Sequence, residues 1–417
     1  MKVAGIIAEY NPFHNGHKYH LEKVKELTGA DFCIVVMSGD FVQRGAPALI
    51  DKYSRTKMAL LNGADLVLEL PVCYATSSAE NFAAGAIALL DRLGVVDMIC
   101  FGSECGDISV IKSIAEVLAE EPEDYQEILR SLLKEGMSYP LARNTALLHT
   151  HKELSSQIDV LNSPNNILGI EYVKALIQRK SSIVPYTNLR VGNDYHDTRL
   201  LQNQSSAIAI RQSLERTDNL LFIANQVPSG VFQILEEHFH VNYPIYQQDI
   251  SLLLKYKLLQ NQNKGYTEFV DVSDDLSDKI SKKLEYYKSL PDFCELLKSK
   301  DMTYTRISRC LLHILLDIKK DNLQTFLSDD YVYYARILGL KQSGTDILNA
   351  IKKKATIPLL SKLADAESIL GISSHPEHAL KMLQCDVQAA HIYDSVATDK
   401  FHTVLPNEYR RQIVKIR

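Results

Sequence analysis

The chain has 417 residues, 46% of them hydrophobic and 23% charged, with 46 Lys+Arg against 51 Asp+Glu for a net charge of −5. That is the mix of a soluble globular protein with room for two or three domains. No apolar run reaches the ~18–20 residues of a membrane span, so no membrane partner is expected. The charge does not by itself announce a nucleic-acid binder, but it is uneven: residues 298–362 carry 12 basic and 6 acidic side chains. A polyanion partner for the C-terminal half stays open. Seven cysteines, an odd number in a long chain, argue against a disulfide framework and for a reducing, cytoplasmic setting. Cys100 and Cys105 are too small a cluster to predict zinc. The apolar N-terminal run is interrupted at Glu9, too early for a signal h-region.

Short apolar runs at 3–8, 33–37, 66–70 and 98–101 read as buried strands. Helical patterns at 17–27, 53–62 and 79–93 alternate with them, the last placing Ala83, Ala86, Ile87, Leu90 and Leu93 on one face. This alternation predicts βαβ units and a Rossmann-like parallel sheet, with ligands at the carboxyl ends of its strands. Residues 108–135 read as helical, 183–185 as another strand, 188–199 as a polar loop, and a helix opens at Ser205 and Ser206. Beyond about 217 strand signals nearly vanish, leaving helical patterns at 247–260, 276–299, 303–318, 321–338, 344–354 and 377–385. The expected organisation is an α/β domain over 1–216 and a mostly helical region over 217–417.

Chemistry is densest directly after the first strand, where residues 9–17 read EYNPFHNGH. A turn through Asn11-Pro12 leads into a helix opened by His14 and His17, with Gly16 leaving space beside the backbone. A helix N-terminus offers unpaired N–H groups to a phosphate, and two imidazoles three positions apart can both face the bound anion. They would stabilise charge building at phosphorus. The competing role is an ordinary helix cap. No third ligand accompanies the pair, so a metal site is not expected there.

This stretch resembles the HIGH-type nucleotidyltransferase superfamily, which forms adenylates at the α-phosphate of ATP. The ordered series YNPFHNGH at 10–17, MSGDFVQRG at 37–45, RTKMAL at 55–60, FGSE at 101–104, PNNILG at 164–169 and DYHD at 194–197 is similar to the bacterial tRNA(Met) cytidine acetate ligase family. The resemblance implies activation of acetate by ATP, with Mg²⁺ and no protein-bound zinc, and acetylation of the wobble cytidine of elongator tRNA(Met). The alternative within the superfamily is a small-molecule adenylyltransferase.

Catalytic roles are expected for His14 and His17. The expected ATP site comprises Ile7, Ala8, Glu9, Tyr10, Asn11, Pro12, Phe13, His14, Asn15, Gly16, His17, Lys18, Tyr19 and His20, with Gly102, Asn165, Arg190, Ser206 and Arg211. By resemblance Asn165 and Arg190 contact the nucleotide, although Asn165 and Asn166 also suit the cap of a helix over 166–179. Asp40, Gln43, Arg44 and Lys57 are the candidates for an acetate pocket. The superfamily's Ser-Ser-Thr-x-Ile-Arg signature departs here to SSAIAIR over 205–211, keeping Ser206 and Arg211 but placing Ala207 and Ile208 where hydroxyls are usual. Each lost neutral hydrogen bond is worth ~0.5–1.5 kcal/mol. For RNA, Arg306, Arg309 and His313 fall on one helical face, and Lys319, Lys320, Arg336, Lys341, Lys352, Lys353 and Lys354 extend the basic excess.

Overall fold

The computed structural model describes residues 1–137, 139–151, 158–190 and 205–417. The DYHD motif therefore lies outside the described residues.

Among the described residues ten strands occur in chain order: β1 (Val3–Ala8), β2 (Phe32–Ser38), β3 (Phe41–Val42), β4 (Ala46–Pro47), β5 (Leu66–Leu70), β6 (Met98–Ser103), β7 (Val184–Leu189), β8 (Ala335–Lys341), β9 (Leu359–Leu360) and β10 (Val414–Ile416). Eight of them form one sheet in the order β10-β8-β5-β2-β1-β6-β7, with β9 beside β8, while β3 and β4 form a separate hairpin. Its junctions are parallel except β5–β8. Both faces are covered, as in sheets built from βαβ crossovers. Strand alternation sorts the apolar runs: Ile34, Val36, Leu66 and Leu68 join the core on one face, Cys33, Val35, Met37 and Val67 that on the other.

Chain order reverses at β1, which has β2 on one side and β6 on the other. Such a switch point opens a crevice at the strands' carboxyl ends. The helix Asn15–Thr28 starts at that edge, stopped at its far end by Gly29 in the left-handed conformation.

The strand expectations hold, and the 108–135 pattern is two helices, Ile108–Glu120 and Glu123–Lys134, separated by Pro122. The helix expected over 321–338 does not form as one element. A helix ends at Ser328, Asp330 and Tyr331 take positive φ of 66° and 71°, and the chain re-enters the sheet as β8. A strand buried on both faces is a continuous apolar run, which periodicity cannot tell from a buried helix. The short pattern at 377–385 belongs to a much longer helix, Pro376–Phe401.

The expected division at 216 does not divide the sheet. β8 and β10 come from the C-terminal half, and one core runs from Val3 to Ala397. The halves also meet where the β3–β4 turn approaches the helix Tyr304–Leu315. Gly45 there has φ 75°, and a Cβ would lie 2.5 Å from the backbone N of Arg309. Its carbonyl accepts hydrogen bonds from Ser308 Oγ at 2.7 Å and Gln247 Nε2 at 3.2 Å.

This packing corrects two RNA expectations. His313 is fully buried, its ring nitrogens 2.9 and 3.0 Å from the carbonyls of Val270 and Thr76. Arg336 is buried too, its guanidinium paired with Glu69 at 2.8 Å and Glu408 at 2.6 Å. Neither can neutralise a phosphate on a docked RNA. All seven cysteines are free thiols, six of them buried, as structural thiols would be. Among the described residues no helix is long and apolar enough to cross a membrane.

Candidate active site

At the β1 switch point lies a cleft with a cavity volume of about 220 Å³, walled by the ends of β1 and β6, the helix Asn15–Thr28 and the start of the helix Ala207–Thr217. Fifteen of the expected ATP-site residues line it: Ile7, Ala8, Glu9, Tyr10, Asn11, His14, Gly16, His17, Tyr19, His20, Gly102, Asn165, Arg190, Ser206 and Arg211. Pro12 and Phe13 are buried behind the turn, Lys18 faces solvent, and Asn15 donates to the carbonyl of Asn225 at 2.8 Å. These four do not line the cleft.

The two histidines act as both cap and candidate donors. His14 Nδ1 accepts the Gly16 N–H at 3.1 Å, and His17 Nδ1 accepts the His14 N–H at 3.2 Å, a reciprocal capping box. The rings stack with centroids 3.7 Å apart. Because both Nδ1 atoms are acceptors, the proton of each neutral imidazole sits on Nε2. Burial first, then the charges of Arg190 and Arg211, holds His14 down to about 3. Burial, His14 and Arg190 likewise keep His17 well below the usual histidine range. Two neutral Nε2–H donors therefore stand in a cationic setting, suited to a polyanion. Gly16 serves this stack, since a Cβ would meet His14 Cε1 at 2.9 Å.

Other residues fix the frame. Asn11 Oδ1 accepts the Leu49 N–H at 2.7 Å, and its carbonyl accepts Arg211 Nη1 at 2.6 Å. His20 Nδ1 is 2.6 Å from Asn188 Oδ1. Ser206 caps its helix by accepting the Ala209 N–H at 3.2 Å, and Ala207 and Ile208 at that helix start line the cleft. On the opposite wall Glu104 binds Asn165 Nδ2 at 2.6 Å and the Asn166 N–H at 2.8 Å. Asn166 Oδ1 answers by accepting the N–H groups of Glu104 and Cys105. Glu104 is thus the cap of the helix Pro164–Gln178, and Asn165 is left facing the cavity. At Gly102 a Cβ would meet Arg190 Cγ at 3.0 Å, so the missing side chain admits the arginine stem.

Of the acetate candidates, Gln43 and Arg44 line the cleft whereas Asp40 and Lys57 do not. Asp40 lies beneath it, 3.6 Å from Lys52 and accepting the Lys52 N–H at 2.8 Å; burial, only partly offset by Lys52, pushes its carboxyl up to about 6. Lys57 sits outside, 3.9 Å from Glu237. Sequence reasoning reached Phe101 only as the strand end before Gly102 and missed Phe82 and Tyr172, which line the cleft with it as an aromatic wall and whose spacing reads only as core. It also gave no role to Arg55, which is fully buried and donates to the carbonyls of Glu9 at 2.7 Å, Ser38 at 3.0 Å, Ile50 at 2.9 Å and Gly39. One guanidinium thus binds the ends of β1 and β2 together.

Residues 1–407 match the family described as HIGH Nucleotidyl Transferase. The tRNA(Met) cytidine acetate ligase of Clostridium novyi is 40% identical over 95% of this chain and 96% of that one. That of Clostridium perfringens is 43% identical over 94% and 95%. The chain belongs to the tRNA(Met) cytidine acetate ligase family of HIGH nucleotidyltransferases. A solved relative, Thermotoga maritima TmcAL without ligand, superposes with a TM-score of 0.95 at 34% identity over the whole of both chains. The same protein bound with alpha-thio ATP gives a TM-score of 0.93 at 33% identity. At the β1–helix junction of this chain stands the histidine stack.

Proposed function

We propose that this chain is an ATP-dependent ligase that activates acetate as acetyl-adenylate and acetylates the wobble cytidine of elongator tRNA(Met) to N4-acetylcytidine. The reading rests on one conjunction: full-length relatives carrying that name, and a cleft at the switch point with two neutral imidazole donors and two arginines around it. A carboxylate oxygen of acetate attacks the α-phosphorus and pyrophosphate leaves. The cytidine N4 then attacks the acetyl carbon, AMP leaves, and N4 loses a proton.

His14 and His17 Nε2–H bind the charge that grows on the α-phosphate oxygens as the P–O bond breaks. Arg190 and Arg211 hold the polyphosphate, and the N-terminus of the helix Ala207–Thr217 takes over from the hydroxyls lost at 207 and 208. Mg²⁺ enters with ATP as substrate, on phosphate oxygens. Gly102, Asn165 and the aromatic wall receive the nucleoside. Gln43 and Arg44, at the rim beside Glu9, are the donors for the acetate carboxylate; Asp40 and Lys57 drop out of that pocket. The reaction belongs to the cytoplasm, where ATP and tRNA meet. Exposed Arg306, Lys352 and Lys353 serve the tRNA backbone. Lys319 and Lys320 have part of their capacity engaged, Lys319 pairing with Glu268 at 3.2 Å and Lys320 donating to the Val272 carbonyl at 2.8 Å, and the Arg309 Nε is buried away from solvent.

The test is incubation with labelled acetate, ATP and tRNA. Acetate-dependent pyrophosphate release, and N4-acetylcytidine only when elongator tRNA(Met) is present, are expected. Adenylate transfer to a small acceptor with no acetate requirement would replace this reading with the small-molecule adenylyltransferase.

A further inference from the structure

Away from the cleft, three side chains with metal-ligating atoms converge where the turn before β8 meets the start of the helix Pro376–Phe401. His375 is the residue before that helix and His378 lies in its first turn, so a three-residue spacing puts both imidazoles on one side. Their rings are nearly parallel, 8° apart, with centroids separated by 5.8 Å. Asp329 reaches between them, its Oδ2 lying 2.6 Å from His378 Nδ1 and 3.6 Å from His375 Nδ1. One ligand atom from each residue lies within 4.8 Å of the others. A tetrahedral zinc with bonds near 2.0–2.1 Å needs its ligands ~3.3 Å apart, so small side-chain rotations suffice.

The elements that carry these groups are held in place. Tyr333 donates its hydroxyl to Asp329 Oδ2 at 2.9 Å. Tyr74 donates to the Tyr331 carbonyl at 2.6 Å, and Arg179 pairs with Asp330, pinning the turn. On the helix, Asp386 accepts the Val72 N–H at 2.7 Å and the Tyr334 hydroxyl at 2.5 Å. Both histidines are more than two-fifths exposed, leaving room for water as a fourth ligand. None of the three residues lines the cleft.

We propose that Asp329, His375 and His378 bind a divalent transition-metal ion of the zinc class, clamping the turn before β8 to the head of the C-terminal helix. Two imidazoles and one carboxylate are a donor set for zinc or cobalt(II), and a poor one for magnesium or calcium, which take oxygen. The sequence expectation of no zinc rested on cysteines, and this site uses none. It stands apart from acetate and ATP chemistry.

The probes are Zn²⁺ alone, competed against a chromophoric chelator, and Co²⁺ read by its visible absorption. The full chain is compared with a His375→Ala/His378→Ala double variant and with Asp329→Asn. The wild-type chain is expected to bind one more equivalent than the double variant, with a tetrahedral cobalt spectrum and a melting temperature raised by Zn²⁺ in the wild type but not in the double variant. Asp329→Asn should weaken binding about tenfold or more. With chelator present, all variants should melt within a few degrees of wild type, showing that they fold. Equal stoichiometry in wild type and double variant would reduce the cluster to a surface histidine–aspartate ion pair and end the proposal. Acetate activation is a separate readout, so failure here leaves the ligase reading untouched.

Discussion

Glu69 and Arg336 are register partners across the antiparallel β5–β8 junction, and their side chains pair at 2.8 Å with both residues about 4% exposed. The pair belongs to a closed network in which Lys52 contacts Asp40, Glu69 and Glu408, and Glu408 also reaches Arg336. Burial alone would raise the Glu408 carboxyl, but Lys52 and Arg336 overcome it and hold it down to about 2. The network joins the strand after the cleft-forming β3–β4 hairpin to two segments of the C-terminal half.

Removing one member leaves the rest short of counter-charge. Arg336→Met leaves Glu69 and Glu408 to share Lys52, and should cost about 3–5 kcal/mol of stability. Urea unfolding gives the loss, and tRNA affinity measured on the folded fraction should stay within about twofold of wild type. A variant that keeps full stability but loses tRNA binding would return Arg336 to the RNA surface.

For the histidine stack, His14→Ala and His17→Ala should each lower acetate-dependent pyrophosphate exchange by ~10²–10³, the size of a lost oxyanion donor, with tRNA binding nearly unchanged. Gly16→Ala should also lower exchange, through displacement of the His14 ring, whose Cε1 would lie 2.9 Å from the new Cβ. If His14→Ala abolishes tRNA binding along with exchange, nucleotide and RNA do not divide between the cleft and the helical half as proposed.

The sequence showed the cleft more fully than the sheet, for a physical reason. β1, its turn and the first helix are contiguous, so motif and geometry coincide for the histidines, while Arg211 and Asn165 were legible only through the motifs that carry the family resemblance. β8 is buried on both faces and carries no alternation, so it passed as helix, and its Arg336 passed as a solvated charge. His313 shares helical phase with the exposed Arg306, yet two turns further along the helix that face is covered, the ring bonding the Val270 and Thr76 carbonyls. Asp40 sits three residues from Gln43, but a single turn separates a side chain at the rim from one beneath it. Phe82 and Tyr172 belong to helices whose apolar faces record burial without saying which ring borders a cavity.

A pH effect on stability should come from Asp394, whose carboxyl burial, reinforced by Asp40, pushes up to about 7 despite Arg411 at 3.7 Å. Its folded pKa lies above the unfolded value near 3.8, so the stability it contributes is full below pH ~4 and is lost as pH rises through about 7. Asp394→Asn should therefore gain on wild type as pH increases, by up to ~4 kcal/mol at pH 8. Glu408 has the opposite sign: its contribution is present above about 4.5 and fades as pH falls toward 2. Urea midpoints from pH 2 to 8 separate the two, and an Asp394→Asn profile parallel to wild type between pH 4 and 8 would refute the assignment.

On the helical half, the exposed Arg306, Lys352 and Lys353 differ from buried Arg336 in what their loss should do. A phosphate contact adds affinity that salt weakens, with a slope of roughly 0.7–0.9 per contact. Replacing Lys352 and Lys353 with Gln should leave urea stability within ~0.5 kcal/mol, because exposed helix-end charges hold little of the fold. The same change should weaken tRNA binding and reduce the log–log salt slope by about one to two. Acetyl-adenylate formation without tRNA should not change, since neither lysine borders the cleft. Binding with an unaltered salt slope would move the RNA path off this helix end and onto the Arg306 face, where Arg306→Gln makes the same measurement.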